Sequence, residues 1–242
     1  MPQDTTSLFV KELNQGKPDL FVTSGHATEK DLQLGYAYRN GVFRNESDGC
    51  PYGSDLTGRT HTVSSPNPKI YMPIGNCLIE HLGGPDSMAA AFMKSSAVRQ
   101  MMGNVEVTWY GYMGCGCLDY FVEQPGRYSF NQAFFANHHA RIHRLETCFT
   151  GSNDTEPSPR KIRSTVLAQK LRLGRQDLKG LLFDRDIVAF YGDPAWQGRM
   201  AEGKTNWIQK LSKNKNSFVF TVTPTNGPNS FKPHYQRSPD RL

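Results

Sequence analysis

A histidine and a cysteine each follow a short apolar run in this sequence, and together they could carry out nucleophilic chemistry. His26 comes after "LFVTSG", and Cys77 comes after "IYMPIGN". An imidazole close to a thiol can take its proton, and the resulting thiolate attacks carbonyl carbons. The backbone N–H groups of Cys77 and Ala27 are placed to donate to the oxyanion that then forms. Each residue also has an ordinary alternative, a hydrogen-bonded strand-end histidine and an inert buried thiol.

Strands that alternate with helices must position this pair. "TTSLFVKELNQGKPD" predicts a helix ended by a glycine, and "LFVTSG" predicts the buried strand that follows it. "KIYMPIGNC" predicts a second strand and "NVEVTWYGYMG" a third. Such an order indicates a mostly parallel sheet covered by helices on both faces, with sites beyond the carboxyl ends of its strands. If the first two strands are neighbours, His26 and Cys77 lie on the same rim.

Helices are predicted in three later segments. The first, "SMAAAFMKSSAVRQMM", can be capped by Asp86 or Ser87 and places one set of residues on a single face: Met88, Ala91, Phe92, Ser95, Val98 and Met102. The other two lie within "SFNQAFFANHHARIHRLETCF" and "STVLAQKLRLGRQDLKGLLFDRD". Residues 36–69 are rich in Gly, Asn, Ser, Asp and Pro, which predicts a long irregular excursion with one hairpin in it.

Composition narrows the class of protein. The 242 residues are 37% hydrophobic, which is enough for one sizeable core, and 28 Lys+Arg against 22 Asp+Glu give a net charge of only +6. Basic residues are spread along the chain, so a nucleic-acid partner is not expected. No apolar run reaches the length of a membrane span, and "MPQDTTSLFVKEL" lacks the features of a signal peptide. Five cysteines are too few and odd in number for a disulfide scaffold.

The order of these features resembles a known family. Strand–Ser-Gly-His, a long loop, strand–Asn-Cys, a capped helix and a third strand resemble the caspase-like fold of clan CD cysteine peptidases, in which the histidine lies roughly 50 residues before the cysteine. Here 51 positions separate His26 from Cys77. "AFYGDPAW" near position 193 makes the chain most similar to the gingipain-type branch. The resemblance covers about residues 5–200.

That resemblance implies a fold and an activity. The expected fold is a three-layer α/β sandwich with a mostly parallel sheet, comprising residues 1–200, followed by a β-leaning extension over residues 201–242 that could begin an immunoglobulin-like domain. The expected activity is hydrolysis of peptide or protein substrates, with His26 as general base, Cys77 as nucleophile, and the Ala27 and Cys77 amides as oxyanion hole. The family usually has glycine where Ala27 stands and Gln or Ala where Asn76 stands.

The resemblance also bears on substrate, cofactor and location. The third strand would supply a wall of the substrate pocket, which places Trp109, Tyr112 and Met113 near the substrate; ordinary core packing is the alternative for these aromatic residues. No catalytic cofactor is implied, while a structural calcium ion in the long loop is left open. The family implies a secreted or periplasmic protein. If the chain is instead complete as printed, a cytosolic protein is the alternative.

Other residues compete for a functional role. His139 and His143 stand at i and i+4 of a predicted helix, with Cys148 nearby, which is metal-ligand spacing; a basic solvated helix face is the alternative. The Cys115–Cys117 spacing fits neither the common zinc nor the common redox motifs. Asp193 in Gly-Asp-Pro is expected to close a turn.

A second class of function is non-enzymatic. A caspase-like scaffold whose site has lapsed could act as a binding or secretion-associated module, because a fold does not guarantee its chemistry.

Asp48 and Asp55 in the long loop either line the site or close turns.

Overall fold

A four-stranded sheet carries the candidate site at one edge. The computed structural model describes residues 4–34, 40–109, 111, 117–152 and 162–231. Its strands are β1 Leu20–Thr23, β2 Asp31–Gln33, β3 Val42–Asn45, β4 Pro51–Ser54, β5 Thr60–Thr62, β6 Lys69–Pro73, β7 Val98–Asn104, β8 Phe149–Thr150, β9 Arg163–Ser164, β10 Val188–Gly192, β11 Trp207–Asn214 and β12 Ser217–Pro224. Its α-helices are α1 Thr6–Gln15, α2 Met88–Ser95, α3 Leu118–Phe121, α4 Phe130–Cys148, α5 Val166–Lys170 and α6 Arg175–Ile187.

The main sheet has the strand order β1-β6-β7-β10, and it is mostly parallel. β1 pairs in parallel with β6 and β6 in parallel with β7, whereas β10 runs antiparallel at the edge beside β7. This confirms the mixed α/β class and the mostly parallel sheet. Strands buried on both faces read as continuous apolar runs, and all five residues of β6 are buried, including Lys69.

Helices pack on both faces of this sheet. Tyr71 of β6 joins the cluster formed by α1 and α2, in which Phe21 stacks on Tyr71 with ring centroids 4.0 Å apart. Ile70 and Met72, the neighbours of Tyr71, join the opposite cluster with Phe121 and Phe130 from α3 and α4. Successive strand residues thus point into two separate cores, which gives the sheet a helical layer on each side.

The helix predicted in "SMAAAFMKSSAVRQMM" is shorter than expected, and the third predicted strand is misplaced. α2 ends at Ser95, and Val98 and Met102, assigned to its apolar face, belong to β7. The third strand is therefore residues 98–104, not 104–114. Ala97 has φ 52°, so the chain leaves the helix through a left-handed residue and enters the sheet between β6 and β10. Pairing on both sides decides the conformation of a run whose apolar spacing fits either element.

Residues 36–69 are more regular than the sequence predicts. β3, β4 and β5 join β2 in a four-stranded antiparallel sheet, where one hairpin was expected. Residues 36–39 of this segment lie outside the described part of the chain. Phe43 and Val63 pack into the same cluster as α1 and α2, so the excursion adds to one core.

Residues 207–224 form a β-hairpin. "NSFVFTVTP" contains β12 as expected, whereas its partner β11 was missed because "WIQKLSKN" mixes polar and apolar residues without strict alternation. All eight residues of β12 are exposed. Whether this hairpin begins an immunoglobulin-like domain stays a prediction.

The Gly-Asp-Pro segment closes a turn at the end of β10. Asp193 Oδ1 accepts a hydrogen bond of 2.8 Å from the Ala195 N–H, and the side-chain amide of Gln100 donates to the carbonyls of Asp193 and Trp196 at 2.8 and 2.7 Å. This is the turn-closing role expected for Asp193.

Gly192→Ala is expected to destabilise the fold by about 2–4 kcal/mol. Gly192 has φ 124°, and a Cβ there would overlap the carbonyl oxygen of Arg99 in the neighbouring strand. Urea denaturation measures the loss. Gly58→Ala is the matched control, because Gly58 has φ 82° with no atom near the added carbon. An equal loss in both variants would contradict the steric explanation.

Candidate active site

The carboxyl ends of β1 and β6 bring His26 and Cys77 to one cleft. Thr23 and Pro73, the last residues of these neighbouring parallel strands, are paired in register. His26 follows three residues after Thr23, and Cys77 four residues after Pro73, so both leave the sheet at the same edge. Both line an open cleft of about 910 Å³, in which His26 is exposed and Cys77 is half-buried. The structure thus places both residues that the sequence selected on the wall of one cleft, while their catalytic role stays a prediction.

The turn that carries Cys77 is held in an unusual backbone conformation. Gly75 has φ 71° and Leu78 has φ 56°, so left-handed residues stand on both sides of Asn76-Cys77. Leu78 is an unfavourable residue at such an angle, and this strain is of the kind found at functional sites. The Leu78 N–H donates to the Glu106 carbonyl at 3.2 Å, and the Glu80 N–H donates to the Asn104 carbonyl at 3.1 Å. These bonds fix the turn against the chain that leaves β7.

The sulfur of Cys77 has one close polar neighbour among the described residues, Thr108. The Thr108 N–H donates to Sγ at 3.3 Å, and the Thr108 hydroxyl lies 3.2 Å from Sγ. The same hydroxyl reaches the Gly75 carbonyl at 3.3 Å. Thr108 therefore contacts the sulfur through both its backbone N–H and its hydroxyl. Sequence reasoning missed Thr108, since 31 residues separate it from Cys77.

Asn76 ties the histidine loop to the cysteine turn. Its side chain is fully buried; Oδ1 accepts from the Thr23 hydroxyl at 2.9 Å, and Nδ2 donates to the Gly25 carbonyl at 2.9 Å. The Tyr71 hydroxyl lies 2.9 Å from the Thr23 hydroxyl and extends this network into the core. Asn76, the residue before Cys77, is thus bonded to Gly25, the residue before His26. From the sequence, Asn76 is noted only as a difference from the pattern of the caspase-like peptidases that the chain resembles.

Ala27 takes part in an isolated β-bridge whose hydrogen bonds do not involve the backbone N–H of Ala27. The bridge joins Ala27 to Leu32, and its two hydrogen bonds run from the Thr28 N–H to the Asp31 carbonyl and from the Gln33 N–H to the His26 carbonyl, each 2.9 Å. These two bonds fix the path of the backbone on either side of Ala27. The methyl group of Ala27 is buried in the core cluster of α1 and α2.

The expected substrate wall is described in part. Trp109 is 72% exposed and lines the cleft beside Val107, so it does not belong to the core. Tyr112 and Met113 lie outside the described residues. A second, smaller cavity of about 50 Å³ shares Gly75 and Thr108 with the cleft and reaches the buried carboxyl of Asp184.

The other candidate groups lie away from this cleft. His139 and His143 are exposed on α4, whereas Cys148 is buried in the core against Leu145 and Phe149, so these three do not converge on one face. Among the described residues, no three His, Cys, Asp or Glu side chains are grouped as metal ligands. Cys117 is buried, and burial raises its pKa to about 12; Cys115 lies outside the described residues.

The two loop aspartates close turns. Asp48 accepts the Cys50 N–H at 2.8 Å, which lowers its pKa. Asp55 accepts hydrogen bonds from Thr57 and lies 2.9 Å from His61 Nε2, and these contacts lower its pKa strongly. Neither lines the cleft.

Glu80 is a buried carboxyl three residues after Cys77. Neither of its oxygens makes a well-formed hydrogen bond within the described part of the chain. Burial raises the pKa of Glu80 well above the ordinary 4.5, and the nearby backbone N–H of Gly103 offsets only a part of this effect. Because the pKa of Glu80 is higher in the folded than in the unfolded state, its contribution to stability is fully present below pH 4.5. The free energy of unfolding then falls as the pH rises toward the folded pKa.

Glu80→Gln is therefore expected to raise the free energy of unfolding at pH 8 by about 1–3 kcal/mol and to change it little at pH 4. Urea denaturation of both proteins across this pH range measures the difference. Glu106→Gln, at an exposed glutamate, is the control. A wild-type-to-variant difference that is constant with pH would show that Glu80 ionises normally.

Comparisons with known proteins add no relative. No family model matches the sequence, and no curated protein or solved structure is significantly similar to it. Within the described residues, no helix has both the length and the apolar character needed to cross a membrane.

Proposed function

We propose that this protein is a cysteine-type peptidase with a caspase-like fold and a Cys77–His26 dyad. The observation that supports this most is the shared cleft: two neighbouring parallel strands direct an imidazole and a thiol to one rim. The sheet order, with three parallel strands, an antiparallel edge strand and helices on both faces, agrees with this reading.

The residues have defined roles in this mechanism. His26 accepts the thiol proton, and Cys77 Sγ attacks the carbonyl carbon of the scissile peptide bond, with the oxyanion held by the N–H groups of Cys77 and Ala27. The C–N bond then breaks as His26 returns the proton to the leaving amine, which leaves a thioester on Cys77. A water molecule, deprotonated by His26, hydrolyses the thioester and regenerates the thiol.

A binding module on a lapsed caspase-like scaffold is the second candidate. The observation that favours it is the exposed ring of His26, which has no hydrogen-bond partner among the described residues. A catalytic base need not be held in the absence of substrate, since such hydrogen bonds tighten when the substrate binds.

Selective alkylation distinguishes the two candidates. The native chain is treated with iodoacetamide near pH 7, and the modification of each cysteine is followed by peptide mapping. A peptidase site predicts that Cys77 reacts at least tenfold faster than Cys50, which is also half-buried. Similar rates at Cys77 and Cys50 would favour the lapsed scaffold.

A further inference from the structure

The Thr108 hydroxyl stands between two acceptors at the candidate site. It lies 3.2 Å from Cys77 Sγ and 3.3 Å from the Gly75 carbonyl, and it can donate to only one of them at a time. The Thr108 backbone N–H donates to the same sulfur at 3.3 Å regardless of how the hydroxyl is turned. Thr108 is half-buried at the cleft wall, in the chain that follows β7.

The two protonation states of sulfur need different hydroxyl orientations. As a thiol, Cys77 can donate S–H to Thr108 Oγ1 while the hydroxyl donates to Gly75. As a thiolate, the sulfur only accepts, so the hydroxyl gains by rotating from Gly75 to the sulfur. The thiolate then accepts two hydrogen bonds from one residue, and bonds to a charged acceptor are the stronger kind.

We propose that Thr108 is a positioning residue that stabilises the Cys77 thiolate, with its hydroxyl turning from the Gly75 carbonyl to the sulfur when the thiol proton leaves. No covalent bond other than S–H is broken, and the proton passes to His26 or to water. The use of this thiolate in peptide hydrolysis rests on the proposed function, whereas the stabilisation itself does not.

The same contacts aim the sulfur. Gly75 and Leu78 hold the turn in left-handed conformations, and Thr108 binds both the sulfur and the carbonyl of Gly75. The side chain of Cys77 is thereby restrained from the cleft side, while Asn76 restrains the turn from the core side.

The test compares Thr108→Val, which removes the hydroxyl and keeps the shape, with Thr108→Ser, which keeps the hydroxyl. The rate of iodoacetamide alkylation at Cys77 is measured between pH 5 and pH 10 on the full chain, and each cysteine is resolved by mass spectrometry. We expect Thr108→Val to slow alkylation at pH 7 about tenfold and to shift the profile to higher pH. We expect Thr108→Ser to follow the wild-type profile.

Two controls accompany the profiles. Alkylation of Cys50 in the same samples reports any general loosening and should not change. Thr150→Val alters an exposed threonine whose hydroxyl donates to the Arg163 carbonyl, and it should leave the Cys77 profile unchanged. If Thr108→Val does not fold, Thr108→Ala serves in its place.

An unshifted Cys77 profile in the folded hydroxyl-free variant would overturn the proposal, and so would a shift in Thr108→Ser as large as that in Thr108→Val. Because alkylation requires no peptide, this result is separate from the test of peptidase activity. If Cys77→Ala abolishes hydrolysis but the Thr108 variants leave the alkylation profile of Cys77 unchanged, the proposed peptidase function stands and only the role of Thr108 is removed.

Discussion

Cys77→Ala is expected to lower kcat/KM for peptide hydrolysis by about 10⁴-fold or more, because the variant lacks the thiol that we propose as the nucleophile. The measurement is the hydrolysis of a fluorogenic peptide pool, from which a cleaved sequence is first selected with the wild-type protein. Cys77 is half-buried and packs in no core cluster, so the variant should unfold within about 1 kcal/mol of the wild type.

Cys50→Ala is the matched control, since Cys50 is also a half-buried free thiol, with the Ser95 hydroxyl 3.8 Å from its sulfur. It should retain wild-type hydrolysis. Unchanged turnover in Cys77→Ala would eliminate the mechanism.

His26→Gln is expected to reduce kcat/KM by about 10²–10⁴-fold, because His26 is the one basic side chain among the described residues that line the cleft. The ring of His26 is exposed, so its removal should leave packing and stability unaltered. The pH dependence of kcat/KM provides the finer readout. A profile whose shape differs between the wild type and the variant would support a role of His26 in proton transfer.

The control for this substitution is His61→Gln. His61 pairs with Asp55 on the hairpin of β4 and β5, away from the cleft, and its loss should not affect hydrolysis. Equal activity of His26→Gln and His61→Gln would mean that His26 is not the base, even if Cys77 proves to be the nucleophile.

The edge of the sheet could be predicted because strand ends carry strong local signals. "LFVTSG" and "IYMPIGN" are short apolar runs that end in glycine-containing turns, and their placement as neighbouring parallel strands follows from the alternation of helices and strands. His26 and Cys77 could therefore be assigned to one rim before their coordinates were known.

The contacts that refine the site could not be predicted in this way. Thr108 reaches Cys77 only because the chain after β7 folds back over the turn, and that path depends on where β7 ends. The prediction from the sequence misplaced this strand, since "VRQMM" fits the apolar spacing of a helix as well as that of a strand. The role of Asn76 was missed for a related reason: its partners, Thr23 and Gly25, are adjacent only through the pairing of β1 with β6.

We propose that the cleft at the carboxyl ends of β1 and β6 activates the sulfur of Cys77 by means of His26. Labelling with a panel of peptidyl acyloxymethyl ketones, followed by mapping of the modified residue, tests it most directly. We expect a single adduct on Cys77 of the native protein, strongly reduced in His26→Gln and absent after unfolding. Equal labelling of Cys50, or an undiminished adduct on Cys77 in His26→Gln, would contradict it.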